Sequence, residues 1–216
     1  MEKINWKNEI VPWVFLLAPC IYCAYVWNQL PDSIPIHFNI NGDADNWGPK
    51  GAILLSPGIN IFTYLLLLFV PYLDPKKMSY EAFAKNFYKI RVLLTIFFSV
   101  ISIVIIRATI SNGSTITHII PAIIFLLLAL MGNYMINIKP NWFIGIRTPW
   151  TLSNETVWKQ THLVGGRLWF YGGLLCLLLS LFLPSRVTGN LLLCFVLGSA
   201  LFMVAYSWWL FQKEGK

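Results

Sequence analysis

Charged residues are scarce in this sequence, and their scarcity excludes an ordinary soluble domain. Only 12% of the 216 residues are charged, whereas 57% are hydrophobic; soluble domains average about 25% charged residues. Acidic residues are the scarcer sign, at 9 against 16 basic residues, and none of them lies inside a long apolar run. Ion-coupled transporters and proton relays need ionisable groups along their path through the membrane, so the sequence argues against both.

Cysteine and histidine are too few and too scattered to indicate a metal or redox site. All four cysteines, including the closely spaced Cys20 and Cys23, lie in apolar runs, where a thiol ionises poorly. Only three histidines are present, and no serine or cysteine has a basic partner at a spacing typical of a nucleophile. We therefore predict no catalytic residue, no metal site, no cofactor and no enzymatic activity.

What the sequence does have is a series of apolar runs, each close to twenty residues long. A helix rises about 1.5 Å per residue, so about twenty residues cross the roughly 30 Å hydrocarbon core of a bilayer. Arginines beside the shorter runs are expected to reach the headgroup layer. The runs predict an all-α membrane protein with six transmembrane helices: Ile10–Leu30, Ala52–Tyr72, Val92–Ile110, Ile119–Ile138, Leu168–Leu183 and Leu191–Phe211.

Lysine and arginine are distributed very unequally between the two sides that six spans create. Thirteen of the sixteen lie on one side, against Lys50, Arg107 and Arg186 on the other. Because basic connections resist translocation, the thirteen are predicted to be cytoplasmic, together with both termini. The net charge of +7 then indicates contact with anionic headgroups of the lipid bilayer. No basic stripe is long enough to indicate direct nucleic-acid binding.

The outer connection, residues 30–51, is longer than a turn requires. Asn41-Gly42-Asp43 predicts a tight turn between Ile36-His37-Phe38 and the segment around Trp47, since glycine adopts positive φ without strain. Its alternating Asn and Asp residues superficially resemble a calcium loop, but a Lys at position 50 stands where such a loop needs a bidentate glutamate. We therefore predict a small ordered structure on the outer membrane face.

Two further segments carry predictions about the helices. Residues 74–91 predict an amphipathic cytoplasmic helix, with Phe87, Tyr88 and two earlier aromatic residues turned toward lipid. In the second span, Ser56-Pro57-Gly58 followed by Asn60 predicts a kink or an unwound turn. A broken helix can line a binding site, which leaves a small-solute or lipid-related membrane transporter as an alternative function.

The inner connection, residues 137–167, is also longer than a turn requires. Its tryptophans, Trp142, Trp150 and Trp158, alternate with basic residues, and Ser153 is expected to cap a short helix that carries Glu155 in its first turn. The glycines in this segment indicate a specific backbone path. Structured loops between rigid elements frequently carry function. We therefore divide the chain into two parts, each with one of these loops: residues 1–91 contain the outer loop and residues 92–216 contain the inner loop.

Two motifs resemble known families. The outer loop resembles a small domain of unknown function that begins many bacterial six-span proteins, through Ile34–Asn39 followed by Gly42, Asp45, Trp47, Gly48 and Lys50. The inner loop is similar to the signature of the SdpI family, whose named member is the immunity and signalling protein against a sporulation-delaying toxin. That similarity lies in Asn141, in Gly145–Thr151 and in Trp158–Gly166.

The resemblance implies a multi-pass protein of the bacterial plasma membrane that protects its cell from a secreted peptide toxin. It also implies a receptor that, once it engages the toxin, holds a cytoplasmic repressor protein at the membrane. On this basis a toxin-sensing outer surface is expected at His37, Asn39, Gly42, Asp45, Trp47 and Lys50. A cytoplasmic surface for the partner is expected at Asn141, Gly145, Arg147, Thr148, Trp150, Trp158, His162 and Gly166.

Overall fold

A computed structural model of the chain describes residues 6–39, 44–73, 77–111 and 116–214. The chain is mostly helical, at 79%. The helices, in chain order from α1 to α7, are Ile10–Val26, Leu55–Leu73, Lys77–Ile110, Ile116–Met135, Pro149–Ser153, Glu155–Ser180 and Ser185–Glu214. Short 3-10 helices, Trp27–Gln29 and Lys50–Leu54, extend the end of α1 and the start of α2. The strands β1 and β2 are Ser33–Phe38 and Ala44–Pro49.

Among the described residues, five helices are long and apolar enough to cross a membrane. They are Ile10–Gln29, Lys50–Leu73, Ala84–Ile110, Glu155–Ser180 and Ser185–Glu214, with their 3-10 extensions included. A shorter apolar helix, Ile119–Met135, occupies most of the fourth predicted run. The apolar spans are therefore confirmed in five cases, while the count of six and the cytoplasmic position of both termini stay predictions.

The outer connection is ordered, as predicted, and forms an antiparallel hairpin of β1 and β2. Ser33 pairs with Pro49 and Phe38 with Ala44, with register irregularities on either side of His37. The predicted turn at Gly42 lies outside the described residues. Ile34 is buried and anchors the hairpin to the helices. Its cluster, which we call the outer core, comprises Cys23, Val26, Leu30, Ile34, Ile53 and Ile106.

The predicted cytoplasmic helix and the third span are one continuous helix, α3. The segment from 77 to 110 contains no glycine or proline, so nothing in the backbone ends a helix between them. The prediction that Phe87 faces lipid is wrong, because its side chain is buried in the protein core. Tyr88 is half-buried, and its hydroxyl donates to the carbonyl oxygen of Asn8 at 2.6 Å.

The unwound turn predicted for the second span is not found within α2. The change from 3-10 to α-helix comes at Leu55, and α2 then continues to Leu73. Pro57 therefore lies in the first turn of α2, where a missing backbone N–H costs little because the first four N–H groups of a helix lack partners within it. The unwound segment that a transporter of this design needs is not found in the described part of α2.

Helices α4 and α6 pack so closely that their backbones touch. A Cβ atom placed on Gly132 lies 2.5 Å from the carbonyl oxygen of Gly166, and one placed on Gly166 lies 2.7 Å from that of Gly132. Two helical turns further along α6, a Cβ atom placed on Gly173 lies 2.9 Å from the backbone nitrogen of Ala129 on α4. Small residues are what allow transmembrane helices to approach this closely.

Helix α3 connects two hydrophobic clusters at opposite ends of the molecule. Ile106 belongs to the outer core, beside the hairpin. Phe87 and Ile90 belong to a second cluster, the inner core, with Val70, Met135, Ile138, Trp158 and Met203. Ile90 and Ile106 are sixteen residues apart, which is about 24 Å along a helix at 1.5 Å per residue. The hairpin and the inner loop are therefore separated by most of a bilayer thickness.

Candidate functional site

The loop between α4 and α5 is organised by one buried asparagine. The Asn141 amide nitrogen donates to the carbonyl oxygens of Lys139 and Ile144, at 2.9 and 3.0 Å. Its side-chain oxygen accepts from the backbone N–H groups of Phe143 and Ile144, at 2.9 and 2.7 Å. An asparagine side chain can take the place of a backbone turn in this way. This single residue therefore shapes the chain from 139 to 144.

Glycine at position 145 and the ring of His162 fit each other. Gly145 has φ +111°, a conformation that only glycine adopts without strain, and a Cβ there would overlap the His162 ring. The His162 Nε2 atom accepts from the Ile146 N–H at 2.9 Å, while Nδ1 lies 2.8 Å from the Trp158 carbonyl oxygen. A nitrogen that accepts carries no proton, so Nδ1–H donates to that carbonyl.

The Trp158 side chain stacks on the ring of His162. The two rings stack with centroids 4.1 Å apart and an interplanar angle of 22°. The indole N–H donates to the carbonyl oxygen of Ile138 at 2.8 Å, which ties α6 to the start of the loop. Both rings are buried. His162 and Trp158 therefore fix the loop to α6 and do not present their rings to a partner.

The short helix α5 is capped by a threonine pair. Thr148 and Thr151 each accept a hydrogen bond from the other's backbone N–H, at 3.2 and 2.9 Å, which is a capping-box arrangement. The Thr148 hydroxyl also lies 3.0 Å from that of Ser207 on α7. Ser153 does not cap the next helix as predicted. Asn154 does so, since its side-chain oxygen accepts from the N–H groups at 156 and 157.

The predicted inner-surface residues divide into a framework and an exposed face. Buried residues form the framework: Asn141, Thr148, Trp158, His162 and Gly166. The other three predicted residues, Gly145, Arg147 and Trp150, are exposed or half-buried. Together with their exposed neighbours Trp142 and Phe143 they form what we call the exposed face. Arg147 donates to the backbone carbonyl oxygen of Trp142, which links the guanidinium to the backbone of the same loop. The framework sets the shape, and the exposed face is what a partner can contact.

The predicted outer-surface residues lie on the hairpin in a looser arrangement. His37 Nδ1 lies 2.5 Å from the Asp45 carboxylate, and both side chains are well exposed, so this pair adds little stability. Trp47 is 56% exposed, and Asn39 is half-buried. The Lys50 ammonium lies over the Trp27 ring, 5.0 Å from its centre. His37, Asp45 and Trp47 are thus the exposed members of this surface.

Replacing Asn141 by alanine should loosen the inner loop. Each of its hydrogen bonds contributes about 0.5–1.5 kcal/mol, so losing two or more should raise the population of open loop by at least about fivefold. Limited proteolysis of the detergent-solubilised protein measures this as the cleavage rate within 136–148. Asn137→Ala is the matched control, because Asn137 is exposed in the same loop. Equal cleavage rates for the two variants would contradict the assigned role.

Sequence reasoning missed a buried ion pair at the inner end of the first three helices. Glu9, one residue before α1, is 3% exposed, and Arg91 on α3 is 7% exposed. The Arg91 guanidinium donates to the Glu9 carboxylate, which also accepts from the Tyr64 hydroxyl at 2.8 Å. The prediction that Arg91 reaches the headgroups is therefore wrong. The sequence signal for this ion pair was Glu9, a single acidic residue directly before the first apolar run.

The comparisons with known proteins agree with both motifs. Residues 137–207 match the model of the SdpI/YfhL protein family. Residues 14–61 match the model of a domain of unknown function (DUF1648). No curated protein and no solved structure matches the chain. The first match contains the whole loop framework and its contact with Ser207, and the second contains the whole hairpin.

Proposed function

The chain belongs to the SdpI/YfhL protein family, and on that premise we propose that it is an immunity protein of the bacterial plasma membrane. In this role it protects the cell from a secreted antimicrobial peptide toxin and signals the toxin's presence to a cytoplasmic repressor protein. It acts by binding and not by catalysis. The family match over the signature loop carries this proposal, since the loop is a rigid framework that holds an exposed basic and aromatic face.

The outer surface has the chemistry to meet a membrane-active peptide. Trp47 is exposed on a hairpin that sits at the end of α1, where an aromatic side chain lies at the level of the lipid headgroups. The carboxylates of Asp32 and Asp45 are exposed on the same connection. A peptide with an apolar face and a positive charge would find complementary groups here, because aromatic side chains supply most of the energy at such contacts.

The exposed face of the inner loop has the chemistry to bind a protein. An exposed arginine can make paired, charge-assisted hydrogen bonds to a carboxylate, and arginine and tryptophan are both enriched at protein interfaces. Arg147 and Trp142 are both exposed, and the Arg147 guanidinium donates to the backbone carbonyl oxygen of Trp142. The repressor that we propose therefore offers an acidic group to Arg147.

Helix α3 supplies the physical route between the two surfaces. It contributes Ile106 to the outer core and Phe87 and Ile90 to the inner core. For signalling, toxin binding must favour one arrangement of the helices by a differential free energy, typically about 1–3 kcal/mol. A small axial or rotational shift of α3 would be felt in both clusters, because packed cores respond to shifts of less than an ångström.

The immunity proposal is tested by expressing the protein in a toxin-sensitive strain and counting survivors. The wild-type chain should raise survival above the empty vector, and Trp47→Ala should lower survival by about tenfold or more, since a central interface aromatic contributes about 2 kcal/mol. Trp6→Ala is the matched control, because Trp6 is also exposed but precedes α1. Survival equal to the empty vector for the wild-type chain would remove the proposal.

The signalling part is tested with Arg147→Ala and a reporter driven by the operon's own promoter. Reporter induction should fall by about tenfold while survival stays close to wild type, because the substitution removes only the inner contact. Arg186→Ala is the control, since this exposed arginine is predicted at the outer end. Full induction in Arg147→Ala would exclude a role for this arginine in docking.

A further inference from the structure

The interface between α2 and α3 contains a line of polar side chains that the proposed function does not use. On α2 they are Ser56, Asn60 and Tyr64, each four residues from the next, so they share one face of the helix. On α3 they are Arg91, Thr95, Ser99 and Ser102, which also share a face and are all buried. We call this line the polar seam.

The two ends of the polar seam are closed by hydrogen bonds. At the outer end, the Ser56 hydroxyl donates to the Ser102 hydroxyl at 2.7 Å. At the inner end, Tyr64 and Arg91 both donate to Glu9. The helices run antiparallel, so a step of four residues from Ser56 to Asn60 matches a step of about four from Ser102 toward Arg91. Asn60 therefore lies at the level of Ser99.

The middle of the polar seam is not closed in the same way. Both amide atoms of Asn60 and the hydroxyl of Ser99 have no hydrogen-bond partner among the residues that the structure describes. Their side chains are 0% and 1% exposed. Thr95 and Ser102 differ, because their hydroxyls donate to carbonyl oxygens one turn back, at 2.9 and 2.7 Å. Burying polar groups unpaired is costly, and lipid offers them no partner.

From this arrangement we propose that the polar seam binds a small neutral hydrogen-bonding molecule, water in the simplest case, between Asn60 and Ser99. The Asn60 amide presents a donor and an acceptor together, so its ligand must both accept and donate. The ligand is neutral, because Glu9 and Arg91 neutralise each other and Arg91 lies eight residues, about 12 Å, away along α3. Buried waters typically have about three polar partners, and this position supplies three.

The inner end of the polar seam offers a second position of the same kind. The Nε atom of Arg91 is buried and has no partner within the described part of the chain. A water there would accept from Nε and donate to a neighbouring hydroxyl or carbonyl oxygen. The polar seam then holds internal water at two separate positions, one of them beside the Glu9–Arg91 pair.

Water-edited NMR of the protein in lipid nanodiscs, with ¹⁵N-labelled asparagine, tests the proposal directly. Magnetisation from water should reach the Asn60 side-chain amide, and the signal should vanish in Asn60→Leu, which assigns it. Asn141 is the internal control, because its buried amide nitrogen is already bonded to two carbonyl oxygens. Transfer to Asn60 from lipid methyl groups but not from water would overturn the proposal.

Thermal unfolding of substituted proteins provides an independent test. Asn60→Leu keeps the side-chain volume but removes the ligand's partners, so the midpoint should fall by several degrees, at about 2–4 °C for each kcal/mol lost. Thr95→Val, which removes a hydroxyl that bonds only within its own helix turn, should change the midpoint much less. An unchanged or raised midpoint in Asn60→Leu would mean that the amide is buried dry, and would overturn the proposal.

Discussion

Replacing Arg91 by leucine should lower the midpoint of thermal unfolding by about 6–20 °C, the largest effect that we expect from a single side-chain replacement. Removing one partner of a buried ion pair typically costs about 3–5 kcal/mol, and each kcal/mol corresponds to about 2–4 °C in a chain of this size. The cost arises because Glu9, at 3% exposure, keeps its carboxylate in the protein interior without its cation. Tyr64 alone remains to donate to it.

The matched control is Arg107→Leu, an exposed arginine on the same helix, for which we expect a change of less than about 2 °C. The double variant Glu9→Gln/Arg91→Leu should recover more than half of the loss, since it removes both charges and keeps an acceptor for the Tyr64 hydroxyl. If the double variant is as unstable as Arg91→Leu, the effect comes from lost packing and the ion-pair argument fails.

Replacing Gly132 by alanine should lower the unfolding midpoint by about 2–12 °C, from one added methyl group. That methyl group would lie 2.5 Å from the Gly166 carbonyl oxygen and 2.6 Å from the Phe170 backbone nitrogen. Backbone atoms cannot rotate away, so α4 and α6 must separate and lose packing along their length. Overpacking of this kind typically costs about 1–3 kcal/mol, which the size scaling converts to that range.

Gly198→Ala is the control for this substitution. Gly198 is also helical, on α7, but no heavy atom lies within 4 Å of a Cβ placed there. Alanine favours a helix over glycine by about 1 kcal/mol, so the midpoint should be unchanged or slightly raised. Under the proposed function, Gly132→Ala should also weaken immunity, because α4 and α6 flank the signature loop. Equal midpoints for the two alanine variants would mean that the helix contact is looser than the structure indicates.

Local patterns in the sequence were enough to predict the class of protein. Apolar runs near twenty residues predicted the spans, since the free energy of transferring a segment into hydrocarbon depends mainly on its own composition. The order of the outer connection followed from a turn signal and its short flanking segments, whereas its two strands were not predicted. The α3 boundary was missed because the lysines at 85 and 89 were taken to mark a separate helix on the membrane surface, although nothing between this helix and the third span ends a helix.

The sequence indicated which residues belong to the candidate site, but not how they are arranged in space. The signature predicted that Asn141, Arg147, Trp158 and His162 act together, and the structure places the first two in the α4–α5 loop and the other two on α6, where His162 bonds to the loop backbone. Their division into a buried framework and an exposed face depends on which neighbours cover each side chain. Trp158 is covered by the inner core, with contributions from several helices, so no local spacing could separate it from Arg147.

By itself the sequence predicted the membrane character, the family and the two ordered connections, because each depends on patterns within a short stretch of chain. Only the tertiary structure decided that Glu9 pairs with Arg91, 82 residues away, and that Gly132 meets Gly166. It also decided that Asn60 is left without a partner in the described chain. Such pairings depend on how helices distant in sequence pack together, and that packing is set by the whole bundle.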